Sequence, residues 1–208
     1  MPADTSLPRI YLASTSPRRR ELLHQIGIDF DTLFFRAPPR NDDDVSEVIV
    51  GKETAEEYVR RVAAAKAEGA MRRIVWRKLR RQAVLSADTT LELDGEIIGK
   101  PDDAEHATQI LRSLSGREHR VLTAVALADD SFLTQRLSVS TVRMRDISDE
   151  EIAAYIESGE PYGKAGAYGI QGRAAAFIAE IHGSYSGIMG LPLFETAELL
   201  REFSQSES

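Results

Sequence analysis

Three short stretches of the chain bring together residue types that handle phosphate and water. The first is Ser14-Thr15-Ser16-Pro17-Arg18-Arg19. Pro17 suits the first position of a helix and Ser16 its N-cap, so both arginines fall in the first helical turn. A helix N-terminus carries unpaired N–H groups and about half a positive charge. Arginines placed there cost stability unless an anion compensates them. Together with the hydroxyls of Ser14 and Ser16 they could hold several phosphate oxygens. The plainer alternative is a capped helix with two surface arginines.

The second stretch, Ser86-Ala87-Asp88-Thr89-Thr90, ends an apolar run. A carboxylate inside such a strand is costly unless it meets a metal, a proton or a charged partner. Beside a phosphate site, Asp88 could activate water, ligate a divalent ion, or do both. Its plainer role is a turn residue. Asp94, Asp102 and Asp103 follow it, with Lys100-Pro101 between them. The third stretch, residues 163–172, reads Gly-Lys-Ala-Gly-Ala-Tyr-Gly-Ile-Gln-Gly. Its glycines allow close backbone approach to a flat ligand, and the Gln171 amide offers one donor group and one acceptor. Composition alone would leave it a loop.

Other chemistries find no support. His24, His106, His119 and His182 show no metal-ligand spacing, there is no Gly-x-Ser-x-Gly elbow, and the P-loop pattern is absent. The chain contains no cysteine, which rules out disulfides, thiolate zinc and a cysteine nucleophile.

The elements that must carry these stretches follow from periodicity. Residues 9–13 read as a strand, 18–26 as a helix stopped by Gly27, and 28–35 as a second strand. A loop over 37–53 holds Pro38-Pro39 and Asp42-Asp43-Asp44. Thr54 opens a helix expected to reach Lys66 and to end or bend at Gly69. Residues 71–82 carry Arg72, Arg73, Arg77, Lys78, Arg80 and Arg81, read first as a solvated surface and alternatively as an anion-steering patch. Strands over 83–93 and 96–99 are joined by Asp94-Gly95, a hairpin signal. An amphipathic helix spans 102–114, stopped by Gly116, and an antiparallel pair covers 119–127 and 133–144. Ser148 and Glu151 form a capping box for a helix over 148–157. Irregular backbone over 162–172, a strand over 176–181, a helix over 193–203 and a loose tail over 204–208 complete the chain. The alternation of strands and helices indicates an α/β fold.

At 208 residues, with 42% apolar and 28% charged residues, the chain has the composition of a globular domain or two small lobes. No apolar run approaches the roughly 18 residues a membrane span needs, and residues 1–9 lack a secretory pattern, so a cytoplasmic location is expected. A net charge of −7 argues against bulk nucleic-acid binding. A homodimer is compatible with the sequence.

Six blocks, in order, resemble the Maf family. They are Leu12-Ala13-Ser14-Thr15-Ser16-Pro17-Arg18-Arg19, Ala87-Asp88-Thr89, Gly99-Lys100-Pro101, Leu114-Ser115-Gly116, the Lys164–Gly172 run and Gly190-Leu191-Pro192-Leu193. The resemblance covers residues 9–203. It implies a fold similar to that of the inosine-triphosphate pyrophosphatases, with a long central mixed sheet flanked by helices and two lobes around a cleft. It also implies hydrolysis of a nucleoside triphosphate to the monophosphate and pyrophosphate, with magnesium or manganese. By motif position Asp88 corresponds to the proton acceptor and a candidate metal ligand, while Lys66 and Lys100 correspond to cleft lysines. Arg18, Thr89 and Gln171 correspond to the specificity positions, and these three residue types mark the branch acting on dTTP and UTP. A sister branch acts on 7-methyl-GTP.

Two departures stand out. The family usually carries an acidic residue soon after the second strand, where this chain has Pro38-Pro39, leaving Asp42, Asp43 or Asp44 as replacements. Gly163 stands where an aspartate usually precedes the lysine. The sequence thus points to a pyrimidine-nucleotide pyrophosphatase in which Ser14, Ser16, Arg18, Arg19, Lys66, Thr89, Lys100 and Gln171 bind substrate. The rivals are an enzyme for another nucleotide and a non-catalytic division regulator acting through residues 71–82.

Overall fold

The computed structural model describes residues 9–33 and 45–206. The chain runs β1 (Ile10–Leu12), α1 (Pro17–Gln25), β2 (Phe30–Thr32), α2 (Ala55–Trp76), β3 (Val84–Leu93), β4 (Glu96–Ile98), α3 (Ala104–Leu114), β5 (Glu118–Ala128), β6 (Leu133–Met144), α4 (Asp149–Glu157), β7 (Ile178–His182), α5 (Tyr185–Met189) and α6 (Leu193–Ser206). Seven strands form one sheet in the order β2-β1-β3-β5-β6-β7, with β4 also paired to β3. Pairs β2/β1 and β1/β3 are parallel and the others antiparallel. The α/β expectation, with a mixed sheet flanked by helices, holds.

The two central strands alternate strictly, and that alternation places the site. On one face Leu122, Ala124 and Ala126 of β5 pack against Val59, Ala63 and Ala67 of α2. The small side chains let the helix lie close to the sheet, and Ser86 on the same face donates to the Ala63 carbonyl at 2.7 Å. On the opposite face Leu85, Ala87, Val125 and Leu127 join a cluster with α1 and α6 through Leu22, Leu23, Leu199 and Leu200. Further along that face Leu91, Leu93 and Val121 join a second cluster with α3 and α4 through Leu111, Leu114 and Ile152. Between the two clusters the register pairs Thr89 with Thr123. The apolar pattern breaks there, and the cleft opens at the break.

The expected capping box at Ser148/Glu151 forms, and Thr54 with Glu57 makes a second one at the start of α2. Three expectations need correction. Gly69 does not stop α2. It is buried, and the apolar face continues through Ala70 and Ile74, which outweighs the cost of about 1 kcal/mol for a helical glycine. The helix ends instead at Trp76, and beyond its C-cap Arg77 the φ of +53° at Lys78 closes the turn, with the Lys78 N–H on Val75 O and that of Leu79 on Ile74 O. Second, Ser16 takes the N-cap position ahead of Pro17 as expected, but its side chain makes no capping bond, and Ser14 Oγ accepts from the Ser16 N–H at 3.1 Å. Third, α6 runs on to Ser206, where a loose tail was expected from Ser204, and α5 was not expected at all, because five residues are too few to show helical periodicity. The basic stretch is split between a buried Arg73 and an exposed Arg81 that pairs with Asp130.

His119 is 2% exposed, and its Nε2 shares a 2.8 Å hydrogen bond with the Tyr168 hydroxyl. Burial pushes its imidazole down to about 4. The fold therefore favours the neutral ring, whereas the unfolded chain takes up a proton near pH 6.5. The resulting stabilisation is complete above about pH 6.5 and is lost as the pH falls towards 4, up to roughly 3 kcal/mol. Urea unfolding of the wild type and His119→Gln across this range should show the wild-type advantage shrinking on acidification. An advantage independent of pH would mean that the ring is not held neutral.

Candidate active site

The cleft has a volume of about 870 Å³, within the usual size of a small-molecule site. All nine residues singled out in the sequence, Ser14, Ser16, Arg18, Arg19, Lys66, Asp88, Thr89, Lys100 and Gln171, line it. They come from the β1–α1 turn, the first turn of α1, α2, β3, the β4–α3 turn and the glycine-rich segment.

Because neighbours on a strand face opposite ways, Asp88 and Thr89 serve different sides of the cleft. Asp88 turns towards α2 and is 7% exposed. Its Oδ1 accepts from the Lys66 ammonium at 2.6 Å. The same ammonium lies 2.8 Å from Glu47 Oε1, while Glu47 Oε2 accepts from Lys100 at 2.8 Å. Desolvation raises the Glu47 carboxyl, but the two ammonium groups outweigh it and hold it at about 2. Two carboxylates and two ammonium groups thus form one alternating chain, Asp88-Lys66-Glu47-Lys100.

Thr89 faces the opposite wall. Thr123 Oγ1 donates to the Gly187 carbonyl at 2.8 Å, so in the 2.9 Å contact between the threonines Thr89 is the donor. Thr89 Oγ1 is left to accept from Arg19 Nη2 at 3.4 Å. Arg19 also donates through Nε to Gly190 O at 2.7 Å and through Nη1 to Ser14 Oγ at 3.5 Å. Burial lowers its pKa, opposed by the charge of Asp88. Arg19 is accordingly a tether between α1, β3 and the turn after α5 as well as a cation at the cleft. Arg18 is half-buried and makes no such bonds among the described residues.

The glycine-rich segment forms the third wall. Gly166 has φ +70°, and a Cβ there would lie 2.1 Å from Leu91 Cδ2, so only glycine permits this approach to β3. Its N–H donates to Gly99 O at 2.9 Å, stitching the wall to the Lys100 turn. Lys164 donates to the Glu160 carbonyl. Burial lowers its pKa, and the charge of Arg18 lowers it further. That repulsion between two cations across a cleft is relieved when an anion binds. Gln171 is exposed at the rim.

Glu47 and Lys164 are the residues that sequence reasoning missed. Glu47 lies three residues beyond the acidic run, in a stretch without periodicity. Only its spacing from Lys66, and the acidic residue that the resemblance led one to expect after the second strand, could have flagged it. Pro38-Pro39 and Asp42-Asp43-Asp44 lie outside the described residues. Among the described residues no three or more His, Asp or Glu side chains are grouped so that they could hold a metal ion by themselves.

Residues 9–203 match the family model described as Maf-like protein. The chain belongs to the Maf family. Within it, the chain is 62% identical to the dTTP/UTP pyrophosphatase of Aromatoleum aromaticum over 94% of this chain and 95% of that one. The proteins of the same name from Ralstonia nicotianae and Dechloromonas aromatica are 57% and 56% identical. These matches cover 94% and 93% of this chain and 94% and 96% of theirs. The Staphylococcus aureus Ham1 protein shares the fold, with a TM-score of 0.51 at 16% identity over 97% of this chain and 100% of that one. No helix among the described residues of this Maf protein is long and apolar enough to cross a membrane.

The two adjacent arginines should separate in a stability measurement. Arg19→Ala leaves the buried Gly190 carbonyl unpaired and should cost roughly 1.5–3 kcal/mol. Arg18→Ala relieves a cation at a helix N-terminus and should change stability by no more than a few tenths of a kcal/mol. Urea unfolding decides it, and equal effects would show that Arg19 is not a tether.

Proposed function

We propose that the protein hydrolyses dTTP and UTP to the monophosphate and pyrophosphate. The observation that carries this reading is the Lys66 ammonium shared by Asp88 and Glu47 in a cleft also lined by Arg18, Arg19, Lys100 and Lys164. The names and high identity of its relatives support the same choice of nucleotide. The reading places the enzyme in the cytoplasm.

In the reaction, Arg18, Lys66, Lys100 and Lys164 engage the triphosphate oxygens and neutralise charge that would otherwise repel an incoming hydroxyl. Ser14 Oγ, whose bonds to Ser16 and Arg19 use only its lone pairs, can donate its own proton to a phosphate oxygen. As the triphosphate draws Lys66 away, the Asp88 carboxylate takes a proton from water. The water oxygen bonds to the α-phosphorus and the bond to the α–β bridging oxygen breaks, so that pyrophosphate leaves. A divalent cation suits the donor set, since magnesium is ordinarily bound by one or two carboxylates together with substrate phosphates. Asp88 and Glu47 would hold magnesium or manganese, which would supply further neutralisation of phosphate charge.

Gln171 is the base reader in this proposal. The uracil and thymine edge presents a carbonyl, an N–H and a second carbonyl. A carboxamide can donate to one carbonyl and accept from the ring N–H, whereas a carboxylate cannot donate.

A panel of nucleoside triphosphates assayed with magnesium or manganese tests the reading. UMP and pyrophosphate from UTP support it, a purine monophosphate favours another nucleotide, and no turnover at all favours a non-catalytic role. Asp88→Asn should lower kcat at least about 100-fold while leaving the fold intact, and near-normal turnover would remove Asp88 as the base. Gln171→Glu should lower kcat/KM for UTP and dTTP by roughly 1–3 kcal/mol equivalent and harm GTP and 7-methyl-GTP less. A uniform change in all four would mean that Gln171 does not read the base.

A further inference from the structure

Glu47 lies on a segment, residues 45–53, that belongs to no strand or helix. Val48, Ile49 and Val50 within it are 70%, 47% and 60% exposed, so burial does little to hold it. Its position comes instead from two side chains in the first two turns of α2. Arg61 donates from Nη1 to Ser46 O at 3.2 Å and from Nη2 to Val48 O at 3.0 Å. Between those two, the Tyr58 hydroxyl donates to Glu47 O at 3.0 Å. Three consecutive carbonyls, centred on Glu47, are thereby fixed to one helix.

The grip is reinforced from behind. Glu53 takes Arg61 in a two-point pair, Nε to Oε2 at 2.9 Å and Nη2 to Oε1 at 2.6 Å. Glu53 Oε1 also accepts from Val50 N at 2.9 Å, closing the segment on itself. The Arg61 guanidinium stands 5.5 Å from the centre of the Tyr58 ring. Arg61 is five residues before Lys66 on the same helix, so one rigid element supplies both the ammonium and the holder of the carboxylate it binds.

We propose that Arg61 and Tyr58 are positioning residues for Glu47, holding its carboxylate against Lys66 and Lys100 for the hydrolytic step. This rests on the reading of Asp88, Glu47 and the lysines as the triphosphate site. Neither residue is placed on the reacting atoms. Their effect passes through the backbone of residues 46–48. The Arg61 and Glu53 side chains are only 33% and 10% exposed, so the pair is more than a solvated surface contact, yet a pair that served stability alone would be dispensable to turnover. It would also be replaced well by lysine. Bridging two carbonyls and a carboxylate requires the planar fork of a guanidinium, which lysine lacks.

The test measures kcat and KM for UTP with saturating magnesium in the full-length protein and in the variants Glu47→Gln, Arg61→Ala, Arg61→Lys, Tyr58→Phe and Glu47→Gln/Arg61→Ala. Arg61→Ala should lower kcat about 10-fold, the scale for residues that support a site from behind, with KM moved much less. Arg61→Lys should recover less than half of that loss. The double variant should lie within about twofold of Glu47→Gln alone, since two changes acting through one group do not add. Tyr58→Phe deletes one hydroxyl at little risk to folding, and should lower kcat about threefold, again only where Glu47 is present.

Unchanged kcat in Arg61→Ala or Tyr58→Phe overturns the proposal, as does full rescue by lysine or a double variant whose losses multiply. A slow Glu47→Gln beside a normal Arg61→Ala overturns the positioning role alone. A Glu47→Gln enzyme with wild-type turnover overturns the reading of Glu47 at the site, and the positioning role with it.

Discussion

The structure depends on one shared proton donor, the Lys66 ammonium between Asp88 and Glu47. A carboxylate that is 7% exposed in the middle of a sheet is tolerable only with a charged partner at hydrogen-bond distance. That partner must come from the element covering the Asp88 face, which is α2. The helix can deliver it because its buried side is built from Ala63, Ala67 and Ala70, small enough to bring its axis close to β3. The helix runs on past Lys66 and through Gly69 because its buried face continues through Ala70 and Ile74.

The opposite sheet face obeys a different constraint. Hydrophobic clusters on either side of the Thr89–Thr123 pair cannot merge without closing the cleft, and the two hydroxyls prevent it. They are satisfied by the Gly187 carbonyl and Arg19 rather than by apolar neighbours. Short α5 and the turn after it exist in a form that puts the Gly187 and Gly190 carbonyls where those groups can reach them. Catalytic and binding walls are thus two faces of one strand, separated by the thickness of the sheet and fixed relative to each other.

Much of this was legible from residue patterns. The hairpin at Asp94-Gly95, the capping box at Ser148/Glu151 and the Pro17 helix start are local signals, and the structure forms them. Arg18, Arg19 and Asp88 stood out because their types were expensive in their contexts, arginines at a helix N-terminus and a carboxylate in an apolar strand. Lys66, Lys100 and the specificity roles of Thr89 and Gln171 came only from the resemblance to the family. What stayed hidden was set by tertiary contacts. Gly69 reads as a breaker until the buried surface of α2 is known, and Lys78 gives no hint that it will take a left-handed turn. Glu47 was invisible because its partners are 19 and 53 residues further on. Ser16 has the right type for a cap, yet Ser14 supplies the bond that steadies the turn.

The Glu47 bridge to both lysines has a consequence for any anion that enters. Glu47 is a competitor on a leash. The chain holds it at an effective concentration that a free ligand of comparable charge matches only at millimolar levels or above. An anion offering one contact must compete with a carboxylate that contacts two ammonium groups at once. A ligand with several closely spaced charges can engage both lysines together and displace it, or share them with it. The cleft therefore sorts ligands by how densely they carry charge before any base is read. When a sparsely charged fragment departs, the carboxylate is already beside the lysines it reclaims.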